Sequence, residues 1–298
     1  MPSSQRLAAD VIVLGAGIVG VSAALALQAQ GRRVCLVDQE DPGRGTSFGN
    51  AGLIERASLV PYAMPRDPGT VLRMATNTHS ALRFQWGALP WYARWLQRYW
   101  HESAPSPLAR ATEDMRPLIE RCVAEHQPLI TAAGLQSLVR SDGWIELFRG
   151  PQTFATEAAL ARTRSEHYGL AMEVLDTHAL QARLPALRPE GGISGGVHWQ
   201  DPWTVLSPFK LVQGYAHLFS SGGGDILRAD AMALQPADPG WLLPLPDGRS
   251  LHASDVVLAL GADTGALAEK FGYRLPLRPK RGYHLHFRID AEHPALPF

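Results

Sequence analysis

Residues 10–38 read DVIVLGAGIVGVSAALALQAQGRRVCLVD. Strand, glycine turn, helix, second strand and terminal carboxylate follow one another in the order that a dinucleotide-binding βαβ unit requires. Val11 to Leu14 are apolar and mostly β-branched, as a parallel strand buried on both faces must be. Gly15 permits the tight turn, Gly17 lets the backbone approach a pyrophosphate, and Gly20 lets helix and strand pack closely. Ala16, Ile18 and Val19 occupy the positions between them, where unpaired N–H groups and the positive end of the helix dipole meet the phosphates. Gly31 ends the helix and Arg33 to Val37 form the second strand. Asp38 stands about twenty residues past the glycines, where a carboxylate accepts hydrogen bonds from ribose hydroxyls. Its charge opposes a 2′-phosphate, and residue 39 is glutamine rather than arginine, so NADP is not expected. The bland alternative is a glycine-punctuated α/β core that binds nothing, and it leaves the complete βαβ context without a use.

Composition bounds the rest. The 298 residues suffice for about two domains with a substantial core. Lys and Arg together count 28, as do Asp and Glu, so no global field steers the chain toward nucleic acid or anionic lipid. Two cysteines, Cys35 and Cys122, make no disulfide framework and fit a reducing, cytoplasmic setting. The apolar stretch near the N-terminus contains the glycine turn and lacks a basic leader, which argues against a signal peptide. No run of about twenty apolar residues suggests a transmembrane span, and no metal site is expected.

Beyond Asp38, QEDPGRGTSFGNAGLIERA is loop chemistry, and its Thr46, Ser47 and Asn50 could hydrogen-bond a phosphate or a ring edge. An ordinary surface loop with Asx turns is the competing reading. From about Val71 to Trp100 the chain turns aromatic with interleaved arginines, and the spacing after Pro90 is helical. Such a helix either lies in a membrane interface or buries its aromatic face in a core. A longer helix is expected over 115–133, introduced by Thr112 and stopped by Gly134. Strand, turn at 141–143 and strand are expected over 135–148. Helices follow over 153–168 and 177–184, the second capped by Thr177. Ser207-Pro208 opens a helix reaching about Phe219. Asp225 to Arg228 reads as a strand, and 241–245 with 249–252 as a hairpin about Asp247-Gly248. Asp255 to Leu260 reads as a strand that returns to the parallel sheet and delivers Gly261 and Ala262 beside the nucleotide.

At TSFGNAGLI, following VIVLGAGIVG and LVD, the sequence resembles the amino-acid dehydrogenase branch of the FAD-dependent D-amino-acid oxidase superfamily. PYAMPRDPGTVLRMATNTHSALRF, LPWYARWL, VVLALGADTGAL and LPLRPKRGYHLHF are similar to segments of D-amino acid dehydrogenases in the same order. The resemblance implies an α/β fold: a Rossmann-type, glutathione-reductase-like FAD-binding domain over 1–56 and 197–274, with an α+β substrate domain over 57–196 and 275–298. It implies non-covalent FAD and oxidation of an amino acid at Cα, releasing a 2-oxo acid and ammonia. Gly15, Gly17, Gly20 and Asp38 would take the ADP half of FAD. Ser47, Gly49, Asn50 and Ala51 would approach the pyrophosphate, ribityl chain or ring, and Gly261 and Ala262 would close over the nucleotide. In RGYHLHF, strand alternation sends Arg281 and Tyr283 to one face and His284 to the other. Arg281 would pair with the substrate carboxylate and Tyr283 or His284 would orient substrate, unless these are surface residues of an edge strand.

Members of that family continue beyond the segment equivalent to HPALPF, so the expectation is a C-terminally truncated member. If this chain were the whole molecule it would bind FAD weakly. Electrons are expected to pass to a quinone or other carrier, with peripheral contact at the inner face of the plasma membrane left open. Two alternatives stand beside this: a glycine- or sarcosine-type amine oxidase using oxygen, and a non-catalytic FAD-binding fragment.

Overall fold

A computed structural model describes residues 6–78, 83–188, 191–279 and 282–283. The chain opens with β1 (Arg6–Ala8), β2 (Val11–Leu14), α1 (Ile18–Ala29) and β3 (Val34–Asp38). β2 and β3 run parallel, with Val11 opposite Val34 and Leu14 opposite Val37. β10 (Asp225–Arg228) adds to β3 and β14 (Asp255–Leu258) adds to β2, giving a parallel sheet in the order β10-β3-β2-β14. This is the Rossmann-type core that the sequence predicts, with both late strands in their expected places.

Every residue of β2 is buried, because both faces of the sheet are covered. Ile12, Leu14, Cys35 and Val37 share one core with Leu243, Leu251 and Leu267. The alternate residues face the other way, where α1 packs with α7 (Pro208–Ser221). The Gln28 side chain ties these helices by donating to the Phe219 carbonyl at 3.0 Å. Burial pushes the Cys35 thiol up to about 12, so it behaves as a core side chain rather than a nucleophile. α7 begins as expected, with Ser207 accepting from the Lys210 N–H and Pro208 in the first turn.

On the other face lies an antiparallel meander of β11 (Gln235–Pro236), β12 (Trp241–Pro244) and β13 (Ser250–Ala253). The Asp247 carboxylate accepts from the Arg249 N–H at 3.0 Å and stiffens the β12–β13 hairpin. β1 joins this layer, parallel to β13. Two smaller antiparallel sheets follow. One has β4 (Leu53–Ile54), β9 (Trp203–Val205) and β5 (Val139–Arg140) in the order β4-β9-β5. The other has β6 (Trp144–Arg149), β8 (Ile193–Trp199) and β7 (Met172–Asp176) in the order β6-β8-β7, with α5 (Pro151–Tyr168) and α6 (Thr177–Arg183) packed on it. The turn at 141–143 therefore joins strands of two different sheets. α6 is capped by Asp176 rather than Thr177, the Asp176 carboxylate accepting from the Ala179 N–H at 2.8 Å. α4 (Pro105–Ala132) begins well before Thr112, whose hydroxyl instead donates to the Leu108 carbonyl at 2.9 Å inside the helix. Pro105 and Pro107 suit that early start, because the first turn needs no N–H donors.

β8 runs through a glycine pair for a packing reason. A Cβ on Gly195 would lie 2.3 Å from the Phe154 ring of α5, and one on Gly196 would lie 2.8 Å from the Glu146 carbonyl. Gly195→Ala is expected to destabilise the chain by about 1–3 kcal/mol through overpacking. Phe154→Leu should restore part of that loss, and additive losses in a double-mutant cycle of denaturant melts would refute the contact.

Half-buried His126 of α4 meets buried Tyr215 of α7, with His126 Nδ1 3.0 Å from the Tyr215 hydroxyl. Burial lowers the His126 pKa from 6.5 and raises that of Tyr215. A histidine whose folded-state pKa lies below its unfolded value binds a proton more readily when unfolded, so stability is present above the unfolded pKa and declines as pH falls below it. Stability of the wild type is therefore expected to fall as pH drops below 6.5, and the His126→Gln variant should show a shallower fall in pH-dependent denaturant melts.

Packing separates two compact units, Met1–Ile54 with Val123–Phe298, and Glu55–Cys122. The second contains α2 (Pro68–Ala75), capped by Asp67, and α3 (Leu89–Glu102). Within it the Arg66 guanidinium stacks 4.5 Å from the centre of the Trp100 ring and donates to the Trp100 carbonyl at 2.9 Å. The Tyr99 hydroxyl donates to the Tyr62 carbonyl at 2.8 Å. Among the described residues no helix is long and apolar enough to cross a membrane.

Candidate functional site

The carboxyl ends of β2, β3 and β14 meet at one edge of the parallel sheet. From β2 the chain goes to β3 on one side, while β14 arrives on the other, which makes this edge the topological switch point where open α/β sheets hold ligands. Gly15 follows β2 with φ +105°, and its N–H donates to the Val37 carbonyl at 2.7 Å. A Cβ on Gly15 would lie 2.3 Å from the Ala259 carbonyl oxygen just beyond β14. A Cβ on Gly20 would lie 1.7 Å from the Gly15 carbonyl oxygen, so the first turn of α1 rests directly on the strand end. The protein's own packing thus accounts for both residues.

Gly17 differs. Its backbone is extended, at φ −75° and ψ −177°, and the nearest atom to a Cβ there is Ser47 Oγ at 3.7 Å. Among the described residues nothing requires glycine at this position, since a Cβ would make only an ordinary contact with Ser47 Oγ. Gly17 caps α1 without a side-chain hydrogen bond, and the first turn of α1 holds no acidic residue. Beside it Val19 is 68 % exposed. A helix N-terminus whose own cap residue offers no side chain presents backbone N–H donors of the kind a pyrophosphate needs. The residues present therefore fit a dinucleotide.

Asp38 ends β3 with both carboxylate oxygens in use. Oδ2 accepts from the Ala16 N–H at 2.6 Å and Oδ1 from the Glu40 N–H at 3.0 Å. Each oxygen keeps a second lone pair for a ribose hydroxyl. Ser47 is buried, and its hydroxyl accepts from the Ile18 N–H at 3.3 Å, which brings the 39–52 loop to the start of α1. Gly49 has φ +75°, and the Asn50 side chain accepts from the Gly52 N–H at 3.0 Å, so Asn50 shapes the loop through an Asx turn while Ala51 stays exposed. Gly261, at φ +59°, and Ala262 follow β14 and are exposed beside the glycine turn.

Tyr283 is 88 % exposed and, with Gly282, belongs to no helix or strand. Arg281 and His284 lie outside the described residues, as does the rest of the RGYHLHF segment beyond Tyr283. Two contacts that the sequence does not announce clamp the site's rim. Gln39 donates to the Asp230 carboxylate at 2.9 Å, and Arg228 pairs with Asp41 at 2.5 Å. Both pairs depend on β10 lying beside β3, with Arg228 opposite Asp38. A cavity of about 270 Å³ lined by Leu227, Arg228, Leu245 and Arg249 lies at the carboxyl end of β10.

The model of the DAO family, described as FAD dependent oxidoreductase, matches residues 10–297. The chain belongs to this family. It is 28 % identical over 294 residues to a D-amino-acid oxidase of Bradyrhizobium diazoefficiens, covering 96 % of this chain and 66 % of that relative. It is 30 % identical over 286 residues to a D-amino acid dehydrogenase of Cereibacter sphaeroides, covering 95 % of this chain and 65 % of the relative. The crystal structure of glycine oxidase from Geobacillus kaustophilus superposes with a TM-score of 0.61 at 18 % identity, over 89 % of this chain and 59 % of that one. At that identity the likeness bears on the fold. The chain thus spans about two thirds of the curated relatives' length. It is a member of an FAD-dependent oxidoreductase family, and FAD is the dinucleotide that the switch-point site fits.

Proposed function

We propose that the chain serves the oxidative deamination of D-amino acids to 2-oxo acids and ammonia, with FAD bound non-covalently and electrons leaving to a quinone or other carrier. The observation that carries this is the Gly17 cradle at the switch point, in a chain similar along almost its whole length to D-amino acid enzymes. Bound FAD supplies the hydride acceptor. The chain's own tasks are to hold that cofactor and to position the substrate Cα–H against it. N–H groups at Gly17, Val19 and Gly20 would face the pyrophosphate, Ile18 would hold Ser47 beside it through its own N–H, and Asp38 would accept the ribose hydroxyls. Ser47, Gly49, Asn50 and Ala51 would approach the pyrophosphate, ribityl chain or ring, and Gly261 and Ala262 would close over the nucleotide from the β14 side. Arg281 would pair with the substrate carboxylate, and Tyr283 or His284 would orient the amino acid. These last roles rest on resemblance. On this reading residues 1–56 and 197–274 would form the FAD-binding domain and 57–196 with 275–298 the substrate domain, a division that cuts β8 and differs from the packing units.

A second reading, a glycine- or sarcosine-type amine oxidase that reduces oxygen, draws support from the D-amino-acid oxidase among the relatives. One experiment separates them. The purified chain is mixed with FAD and titrated anaerobically with D-amino acids, L-amino acids and glycine. Bleaching of the visible flavin band by D-amino acids supports the first reading, and rapid peroxide formation on admitting air shifts the assignment to the second. Retained flavin that no amino acid bleaches overturns both.

A further inference from the structure

Residues 68–101 contain four arginines and no aspartate or glutamate, in a chain whose acids and bases balance at 28 each. Trp86, Trp91, Trp95 and Trp100 fall in the same stretch, half of the chain's eight tryptophans. α3 sorts these side chains onto two faces. Tyr92, Trp95, Leu96 and Tyr99 are half-buried at helical spacing, and the Trp95 and Tyr99 rings stack with centroids 5.1 Å apart. Trp91, Arg94 and Arg98 occupy the exposed face, spaced three and four apart and so aligned in one stripe. Trp91 is 83 % exposed, and Trp86, just ahead of the helix, is 49 % exposed.

An indole left in water on a folded helix has lost most of what burial would return to it. Flanked by guanidinium groups, it matches a boundary where the ring enters an apolar layer, its N–H stays hydrated and phosphates lie within arginine reach. The headgroup level of an anionic bilayer provides all three. Charge complementarity favours this occupant over a protein partner, because the exposed stripe carries two arginines and its one acid, Glu102 at the helix end, lies 3.1 Å from His101. A membrane also resolves the apparent conflict with net neutrality: attraction to a surface acts within about a Debye length, so the local face decides and not the sum over the chain.

We propose that the exposed face of α3, led by Trp91 with Arg94 and Arg98, docks the protein on an anionic lipid bilayer. This deepens the carrier reading above, since a membrane-dissolved acceptor would be reached from that surface. Its test needs neither FAD nor turnover, so the two can fail separately. The full chain is floated with vesicles of phosphatidylglycerol and phosphatidylcholine, and with pure phosphatidylcholine, at low and high salt. Strong partition to the anionic vesicles is expected, weakening as salt rises. The Arg94→Ala/Arg98→Ala variant should bind about 25-fold more weakly, about fivefold for each arginine. Trp91→Ala should weaken binding as well. Arg162→Ala, which removes an exposed arginine from α5, should bind as the wild type and so separates a local face from net charge. Circular dichroism melts confirm that the variants fold. Failure of the wild type to bind anionic vesicles, equal binding by the α3 variants and the wild type, or a dimer on size exclusion that Trp91→Ala dissolves would each overturn the proposal.

Discussion

Gly17→Asp is expected to raise the thermal stability of the FAD-free chain slightly while lowering its affinity for FAD by about a thousandfold. The two effects have opposite signs for one physical reason. Gly17 is the N-cap of α1 and makes no side-chain hydrogen bond, so an aspartate there gains a cap and a favourable interaction with the dipole, together up to about 1 kcal/mol. Its Cβ would meet nothing closer than Ser47 Oγ at 3.7 Å, so the fold should accept it. The same carboxylate would occupy the space assigned to the pyrophosphate. Two like charges at about 4 Å repel by about 4 kcal/mol at the effective dielectric of a protein surface, or about a thousandfold in binding. Calorimetric melts of the FAD-free chain and a fluorescence titration with FAD measure both effects. Unchanged FAD affinity would place the phosphates elsewhere and remove the basis of the proposed function.

Gly15→Ala should behave in the opposite way and cost the fold itself. The residue sits at φ +105° with its would-be Cβ 2.3 Å from the Ala259 backbone oxygen, and a backbone atom at the end of a buried strand does not move aside. β2 and β14 would have to separate where Ala259 donates to the Leu14 carbonyl at 2.8 Å. Strain and lost pairing together should exceed about 4 kcal/mol, which is exceptional for one methyl group. Loss of soluble expression, or a collapsed melting transition with or without FAD, is the expected outcome. A variant that melts like the wild type would mean that the β2–β14 crossing is not as close as described. The pair Gly15 and Gly17 would therefore separate a glycine the fold needs from one that the proposed function gives to a ligand.

Much of this site was legible in the residues because its signals are local. Strand, turn and helix within 10–38 follow from apolar runs and glycine spacing, and β10 and β14 appear at the positions their short β-branched runs suggest. Local signals misled where two compatible residues stood side by side. Thr177 and Asp176 both suit an N-cap, and only the path of β7 into α6 selects Asp176. Thr112 followed by two acids looks like a helix start, yet the proline-rich segment ahead of it was already helical. The turn at 141–143 joins two strands as expected, but sequence spacing carries no information about which sheet each strand joins.

By itself the sequence determined the class of fold, the glycine turn, the carboxylate at Asp38 and the aromatic, acid-free character of 68–101, because each is written in contiguous residues governed by short-range sterics and charge. The tertiary structure decided which of those residues the protein's own packing occupies. It showed that Gly15 and Gly20 serve the packing of β2, α1 and β14 while a Cβ on Gly17 would make only an ordinary contact. It brought Ser47 to Ile18 and clamped the site's rim through Gln39–Asp230 and Arg228–Asp41, and it sorted α3 into a half-buried aromatic face and an exposed one headed by Trp91. These are contacts between residues far apart in the chain, or choices between two faces of one helix, and they are settled only when distant segments bury their apolar surfaces together.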